Sequence, residues 1–320
     1  MCEVSTSTKA VAEKSRHVWI DKQSIARFSQ GFFSGKIKVP TWNSRYHFYD
    51  GGEETVAYLI VLDSLNFCFW PPLGKPKWEI DYKSERLSGY YALAASLKKA
   101  IESGVPITNA RYLSELTADK LKQVLGGRGE LQLLKNRLQI LNELGFVLIN
   151  EYGGKACKFV ELSENSAITL SRLLAEKLVS FKDIAEHQGD KVVFYKRAQI
   201  FAADLYGAFK GRDWGSFTDM EKLTAFADYK LPQVLRHLGI LCYDRTIQEK
   251  IDQKIFLDAG GPEEVEIRAN TICAVDLIRQ ELNRMGKALK AFEIDWLLWS
   301  MGQDPEFKLK PYHRTLTIYY

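Results

Sequence analysis

The sequence predicts a mainly α protein with a small β-sheet. From about residue 88 onward, apolar residues recur at three- and four-residue spacing, which is the period of an amphipathic helix. Glycines follow several of these segments, as is typical of the residue after a helix C-terminus. The main strand signal lies in the first half, where residues 55–70 and 78–82 combine β-branched and aromatic side chains. Residues 55–70 are predicted to form one strand or a strand pair, and residues 78–82 the partner strand of the small sheet.

The N-terminal region divides into three parts. Residues 1–10 are polar and small, which predicts disorder. Residues 11–34 are predicted to form a helix. Its apolar positions are Val18, Ile20, Ile25 and Phe28. The predicted strand over 55–70 then ends at Pro71 and Pro72.

The rest of the chain is predicted to be helical apart from one short hairpin. The hairpin pairs residues 146–150 with residues 158–162 around two glycines. Thr117 is predicted to cap one helix, and Gly145 to end another. The predicted helices cover residues 88–104, 118–125, 130–144, 166–188, 194–209, 232–238, 268–285 and 291–301.

The helix predicted over residues 194–209 carries the first functional signal. It has one apolar stripe, but Lys196 and Arg197 occupy its first turn. Positive charge there opposes the helix dipole, and a helix built only for stability would carry acids instead. The placement indicates an anionic ligand, with a solvated helix face as the alternative.

A second signal is Asp228, which stands between apolar and aromatic neighbours. Residues 218–221 have the spacing of a capping box, which predicts a short helix there. Pro232 then predicts the first turn of the helix over 232–238, and Gly239 its end. Asp228 is expected just before a helix N-terminus, where a carboxylate tends to stay ionised. A simple helix cap would suit the same position, so both roles are open.

Composition and missing motifs narrow the class of protein. The 320 residues are 46% apolar and carry a net charge of +4, which is too small to argue for wrapping nucleic acid. Five scattered cysteines predict a reduced, cytoplasmic protein without structural zinc. Without a signal peptide or a long apolar run, neither export nor membrane insertion is expected. Nucleotide-cofactor, serine-hydrolase and zinc-hydrolase motifs are missing. One domain is expected over residues 11–320.

Four motifs make the chain resemble a known family. They are YKRAQI at 195–200, FADYKLPQVL at 226–235, LDSLNFCFW at 62–70 and VEIRAN at 265–270. From about Trp42 to Tyr320 the chain resembles the queuosine salvage proteins, the queuosine 5′-phosphate N-glycosylase family. The resemblance implies a helical core related to helix-hairpin-helix DNA glycosylases. It also implies hydrolysis of the bond between queuine, a 7-deazaguanine base, and ribose 5-phosphate.

The resemblance also implies roles for two residues. Cleaving an N-glycosidic bond builds positive charge on the ribose and negative charge on the departing base, so a carboxylate near C1′ and a proton donor both help. The family motif implies that Asp228 is the catalytic acid and that Lys196 belongs to the active site. Lys230 departs from the motif, which has arginine there, and so lacks a bidentate fork. Whether Asp228 is a nucleophile, a general base or an electrostatic stabiliser is open.

The aromatic segment 62–70 supplies candidates for binding the base. If the segment is extended, Phe67 and Phe69 share one side and Trp70 follows them. These rings form either a platform for a flat base or part of the core. Asp63 is an acid in an apolar run and needs a partner, such as the N–H edge of the base.

Other candidates are more dispersed. Asp295 and Trp299 are four residues apart and share a face of the helix predicted over 291–301. His47 fits either a ligand contact or a structural role, and the Arg314 fork fits a phosphate. The full set of substrate-binding candidates is Lys196, His47, Asp63, Phe67, Phe69, Trp70, Tyr229, Asp295, Trp299 and Arg314.

Three functions remain open. The first is hydrolysis of queuosine 5′-monophosphate to queuine and ribose 5-phosphate, without a metal or organic cofactor. Its expected partner is the small nucleotide alone, with no stable nucleic acid, membrane or obligate protein partner. The second is a DNA or RNA base-excision glycosylase, which needs a basic surface that the near-neutral balance does not favour. The third is a queuine-binding protein, which needs the aromatic pocket but not Asp228.

Overall fold

The computed structural model describes residues 2–35 and 39–320. Across them the chain is mainly helical, as predicted, and its strands form three two-stranded antiparallel sheets instead of one. The helices are α1 (Glu3–Lys14), α2 (Lys22–Ser34), α3 (Glu53–Ser64), α4 (Gly89–Glu102), α5 (Ala110–Ser114), α6 (Ala118–Leu125), α7 (Leu134–Tyr152), α8 (Cys157–Leu162), α9 (Ala167–Lys177), α10 (Lys196–Ala208), α11 (Lys230–His237), α12 (Arg245–Asp252), α13 (Pro262–Arg284) and α14 (Ala291–Met301). The strands are β1 (Val18–Ile20), β2 (Glu79–Tyr82), β3 (Glu85–Ser88), β4 (Ile184–His187), β5 (Asp190–Val193) and β6 (Leu241–Tyr243).

The chain divides into two compact units, each assembled from separate segments. The first unit comprises Met1–Thr41, Asp183–Gln199 and Asp219–Thr317. The second comprises Trp42–Lys182, Ile200–Thr218 and Ile318–Tyr320. Helix α10 therefore begins in the first unit and continues in the second. The single domain over residues 11–320 stays a prediction.

The first unit is organised around α13. This helix packs against α1, α2, α11 and α14, and against β1. Pro262 starts it, followed by two glutamates that suit the positive end of the helix dipole. Its first half is buried on nearly every side, including the charged residues Glu266 and Arg268. Buried charges need partners, so this half of α13 carries polar contacts that hold other segments in place.

The prediction that residues 1–10 are disordered is wrong, because most of them form α1. Val4, Thr8 and Val11 recur along one face of α1 and are buried. The Thr8 hydroxyl donates to the Val4 carbonyl at 2.8 Å, so its burial costs little. Helix α1 packs against α13, a tertiary contact that the polar composition of the segment does not reveal.

The single helix predicted over residues 11–34 is also wrong, since β1 separates α1 from α2. The Glu266 carboxylate accepts hydrogen bonds from the backbone N–H groups of Arg16 and His17 at 2.8–3.1 Å. Because these N–H groups donate to Glu266, they do not form the backbone hydrogen bonds of a helix. Helix α2 then begins after an aspartate that caps its first turn.

The segment predicted as a strand over residues 55–70 is instead helix α3 followed by a loop. From Thr55 to Ser64, nearly every residue of α3 is buried. A helix buried on all sides has no amphipathic period, so its β-branched residues resemble those of a strand. A strand does form where residues 78–82 predict one, but this strand, β2, pairs with β3.

The predicted hairpin of residues 146–150 and 158–162 is wrong, because these residues lie in α7 and α8. Gly145, predicted to end a helix, lies inside α7. A Cβ atom at Gly145 would overlap the backbone of α5, so the glycine permits close approach of two helices. Gly153 ends α7 instead, with φ 59° in the left-handed region.

The remaining helix predictions are mostly confirmed. They appear as α4, α6, α10, α11, α13 and α14, and Thr117 caps α6 as predicted. Helix α9 stops at Lys177, and the rest of the predicted segment contains a 3₁₀ turn, Val179–Phe181, and β4. The short helix predicted at 218–221 is a single 3₁₀ turn, Met220–Lys222. Among the described helices, none combines the length and apolar character needed to cross a membrane.

Candidate active site

Lys196 opens α10 and is held there by a buried acid of the first unit. Its backbone N–H donates to Asp183 Oδ2 at 3.2 Å. The backbone oxygen of Asp183 accepts from the N–H groups of Phe194 and Tyr195. Tyr195 has φ 47°, a left-handed conformation that is unfavourable for a non-glycine residue. The charge predicted in the first turn of α10 is confirmed, and Lys196 is buried.

Asp228 lies just before α11 and caps it. Its Oδ1 accepts hydrogen bonds from the backbone N–H groups of Lys230 at 2.7 Å and Leu231 at 2.9 Å. Both of these bonds go to Oδ1, so the capping role that the sequence suggested is confirmed. The catalytic role stays a prediction.

Lys196, Asp228 and Asp295 interact electrostatically within the first unit. Burial raises the pKa of Asp228, while the charge of Lys196 and two backbone hydrogen bonds lower it in part. Burial raises the pKa of Asp295 well above its usual range; a hydrogen bond of 2.7 Å from the Phe226 N–H lowers it, and the charge of Asp228 raises it. The sequence argument counted only the helix end and its hydrogen bonds; burial acts in the opposite direction and is the largest cause of the pKa shift of Asp228.

Asp295 and Trp299 both lie on α14, one turn apart. Their shared face, predicted from the sequence, is confirmed. Asp295 is buried and Trp299 is partly exposed. Together with Lys196 and Asp228, Asp295 forms a cluster of two carboxyl groups and one ammonium group.

Two tyrosines and two cations of the first unit lie together. The rings of Tyr229 and Tyr312 contact each other with centroids 4.9 Å apart. Lys230 Nζ lies 5.6 Å from the centre of the Tyr312 ring and donates to Gln233 Oε1 at 3.0 Å. The guanidinium carbon of Arg314 lies 6.0 Å from the same ring. These distances permit cation–π attraction, which orders the cations beside an aromatic surface.

In the second unit, His47 belongs to a chain of buried hydrogen bonds. Its Nδ1 lies 2.8 Å from the Asn43 carbonyl oxygen, and its Nε2 lies 3.0 Å from the Tyr90 hydroxyl. The Tyr90 hydroxyl lies 3.1 Å from Asp204 Oδ2. Burial lowers the pKa of His47 to about 4, so the ring is neutral near pH 7. A neutral ring that donates from Nδ1 accepts at Nε2, so His47 and Asp204 compete for the Tyr90 proton.

Asp63 is buried near the end of α3, in the second unit, as its apolar surroundings predict. Burial raises the pKa of Tyr90 well above its usual range, and the charges of Asp204 and Asp63 raise it further. Asp63 and the His47 chain therefore belong to one polar region inside an otherwise apolar unit. Their contact with a substrate stays a prediction.

The loop after α3 is fixed from within by Arg137. The fully buried guanidinium donates to the carbonyl oxygens of Leu65 and Phe67 at 2.5 Å and lies 4.1 Å from the centre of the Phe67 ring. Phe67 and Trp70 are 0% and 2% exposed, and Phe69 is 9% exposed. Arg137 thus occupies one face of Phe67. Of the three rings predicted as a platform for the base, Phe69 keeps the most exposure.

Replacing Arg137 by methionine should strongly lower the free energy of unfolding. The substitution keeps an unbranched apolar chain but takes the Arg137 donor away from the buried carbonyl groups of Phe67 and Cys68, whereas the Leu65 carbonyl still accepts from the Phe67 N–H. Each unsatisfied buried group costs roughly 1–3 kcal/mol, so the expected loss is about 2–6 kcal/mol. Denaturant unfolding followed by circular dichroism measures it. Arg111→Met, at an exposed position of α5, is the control and should change stability by less than about 0.5 kcal/mol. Equal midpoints for both variants would contradict this account.

Sequence reasoning missed the buried partners of the predicted residues. Asp183 bonds Lys196, Tyr90 bonds His47, and Arg137 bonds the loop that carries the predicted aromatic platform. Local patterns do not reveal these partners, because each is far from its contact along the chain. In the described part of the chain, no three His, Cys, Asp or Glu side chains are grouped so that they could hold a metal ion.

Comparison with known proteins confirms the family resemblance that the four sequence motifs indicate. Residues 46–320 match a family model described as queuosine salvage protein. Over 317 residues the chain is 46% identical to the queuosine 5′-phosphate N-glycosylase/hydrolase of Sphaerobacter thermophilus, covering 99% of this chain and 97% of that protein. Proteins with the same name are 36% identical in Dictyostelium discoideum, covering 99% and 98%, and 33% identical in Mus musculus, covering 98% and 97%.

Proposed function

Because the chain belongs to the queuosine salvage protein family, we propose that it is a queuosine 5′-phosphate N-glycosylase/hydrolase. The reaction breaks the bond between C1′ of ribose 5-phosphate and the ring nitrogen of queuine. Water supplies the hydroxyl group that C1′ gains and the proton that the base gains. The observation that carries the proposal is the buried cluster of Lys196, Asp228 and Asp295, in which backbone N–H groups hold one oxygen of each carboxyl group. A protein that only bound queuine would not need this cluster.

We propose Asp228 as the catalytic carboxylate. Departure of the base gives the ribose oxocarbenium character, which a nearby negative charge stabilises most where water is excluded. Two backbone N–H groups fix Oδ1, so we assign Oδ2 to C1′ or to the attacking water. Attack on C1′, activation of water and stabilisation of charge all require the ionised form of Asp228. The charge of Lys196 favours that form, because it lowers the pKa that burial raises.

Asp295 and Lys196 complete the proposed chemistry. Two neighbouring carboxyl groups resist ionising together, and Asp295 has the more strongly raised pKa. Asp295 is therefore the neutral acid of the pair and suits donation of a hydrogen bond to the base. The Lys196 ammonium suits the 5′-phosphate or a ribose hydroxyl. The other substrate contacts that the sequence predicts stay proposals: Tyr229, Trp299, Arg314, His47, Asp63, Phe67, Phe69 and Trp70.

Charge and composition support a small substrate. A net charge of +4 without a basic block suits a mononucleotide better than an intact nucleic acid. We therefore propose no stable nucleic-acid or obligate protein partner, and no metal or organic cofactor. We also propose that the helical core is related to helix-hairpin-helix DNA glycosylases. Five scattered cysteines support a reducing, cytoplasmic location.

Purified protein should release queuine and ribose 5-phosphate from queuosine 5′-phosphate. Liquid chromatography of the products measures the release. The same protein should release no queuine from queuosine-containing tRNA, because tracking an RNA backbone requires a basic groove. Activity on the mononucleotide should weaken only modestly between low and physiological salt. An intact mononucleotide after long incubation would reject the proposed activity, and release from tRNA would favour a nucleic-acid glycosylase.

A further inference from the structure

Arg268 on α13 forms a buried, two-pronged ion pair with Asp183 in the first unit. Its Nη1 donates to Oδ1 at 2.9 Å and its Nη2 donates to Oδ2 at 2.6 Å. Glu264, one turn earlier on α13, places a second carboxylate 3.6 Å from Nη1. The guanidinium carbon lies 3.9 Å from the centre of the Phe194 ring. The guanidinium group is therefore restrained along its edge and over its face.

Each member of this ion pair also forms a hydrogen bond with the backbone at, or next to, a residue of the proposed catalytic cluster. Arg268 Nε donates to the carbonyl oxygen of Ala227 at 3.1 Å, and Ala227 directly precedes Asp228. Asp183 Oδ2 accepts the backbone N–H of Lys196 at 3.2 Å. The ion pair is thus a bridge between the peptide that precedes the carboxylate and the peptide that carries the lysine.

The bridge depends on the shape of arginine as well as on its charge. Three N–H groups of one rigid plane bond the two oxygens of Asp183 and the Ala227 carbonyl at once. Lysine supplies the charge from a single nitrogen and cannot make this set of bonds. A buried ion pair is by itself weak evidence for stability. The third bond, to the segment that carries Asp228, indicates a role in placing that residue.

We propose that Arg268 and Asp183 are positioning residues that set the separation of Lys196 and Asp228. The proposal rests on the proposed glycosylase function, since it concerns the same cluster. Neither residue needs to touch the substrate, because each acts through a backbone hydrogen bond. Loss of the bridge should therefore slow the chemical step more than it weakens substrate binding.

Two variants test the proposal: Arg268→Lys keeps the positive charge but loses the planar fork, and Asp183→Asn keeps the shape but loses the negative charge. In each, kcat for queuosine 5′-phosphate should fall about 100-fold, because a misplacement of reacting groups by about 1 Å has an effect of this order. KM should stay within about threefold of the wild-type value, as expected when ground-state contacts remain. Steady-state kinetics gives both constants, and thermal melting shows whether each variant is folded at the assay temperature.

A double variant separates positioning from general destabilisation. If Arg268 acts through Asp228, adding Arg268→Lys to Asp228→Asn should lower kcat by less than about threefold, since groups that act as a unit are strongly non-additive. A general loss of folded protein would instead lower the rate by the same factor in both backgrounds.

Arg236→Lys is the matched control. Arg236 forms a two-pronged pair with Asp252 in the same unit, at 2.8 and 3.1 Å, and should keep wild-type kcat when replaced by lysine. Folded Arg268→Lys and Asp183→Asn variants with wild-type kcat would overturn the inference. Failure of both variants to fold would also overturn it, by making the pair purely structural. Wild-type protein without activity on queuosine 5′-phosphate would overturn the proposed function instead.

Discussion

Asp228→Asn should remove nearly all hydrolysis of queuosine 5′-phosphate while the protein stays folded. The amide has nearly the shape of the carboxylate, and its oxygen can still accept from the N–H groups of Lys230 and Leu231. Only the negative charge is lost. Acid–base assistance by one side chain is worth roughly 10²- to 10⁴-fold in rate, so kcat should fall by that factor. Initial rates of queuine release, with melting temperature beside them, measure the effect.

The control for Asp228→Asn is the same substitution at another helix cap. Asp244 caps α12 by accepting from the Ile247 N–H at 2.8 Å, and Asp244→Asn should leave kcat near the wild-type value. This pair of variants separates the two roles of Asp228, because asparagine also caps helices well. A folded Asp228→Asn variant with wild-type turnover would reduce Asp228 to a cap and remove the proposed mechanism.

Local signals in the sequence predicted the helices around the candidate site correctly. Most of α11 lies between Pro232 and Gly239, the residues that predicted its start and end. Helix α10 begins at Lys196, so the basic residues of YKRAQI are in its first turn as predicted. These features depend on residues within one or two turns of each other. Asp228 could therefore be placed before a helix N-terminus from the sequence alone, and the hydrogen bonds to its Oδ1 confirm that position.

Predictions failed where tertiary contacts override local pattern. Helix α3 is buried on nearly all sides, so its composition carries no helical period and resembles a strand. Segment 1–10 looks too polar to order, yet α1 packs against α13. In both cases the deciding contact lies far along the chain. Neither composition nor periodicity within a short window contains that information.

The same limit explains which polar residues were missed. Arg268 lies in VEIRAN, a motif that supports the family resemblance, but a charged residue on a helix usually faces water. Its ion-pair partner, Asp183, is 85 residues away. Arg137 likewise stands in a leucine-rich helix, and nothing near it in the sequence indicates that it bonds the loop carrying Phe67. Buried charges become visible only when the fold brings their partners together.

Lys196→Met should lower kcat/KM and also shift the pH dependence of kcat. One charge-assisted hydrogen bond is worth roughly 1.5–3 kcal/mol, which corresponds to a fall in kcat/KM of about 10- to 100-fold. Burial raises the pKa of Asp228 and the charge of Lys196 lowers it, so removing that charge should raise the pKa further. Because ionised Asp228 is the proposed active form, the loss of activity on acidification should begin at a higher pH in the variant.

Rates across a pH series, for the 5′-phosphate and for the unphosphorylated nucleoside, separate the two contributions of Lys196. If Lys196 binds the phosphate, the fall in kcat/KM should be smaller for the nucleoside, while the pH shift should appear with both substrates. Lys250→Met is the control, since Lys250 pairs with Glu263 at 2.6 Å elsewhere in the same unit. Equal losses on both substrates would assign Lys196 to the ribose. An unshifted profile would show that its charge does not act on Asp228, and the pairing proposed for these two residues would then be wrong.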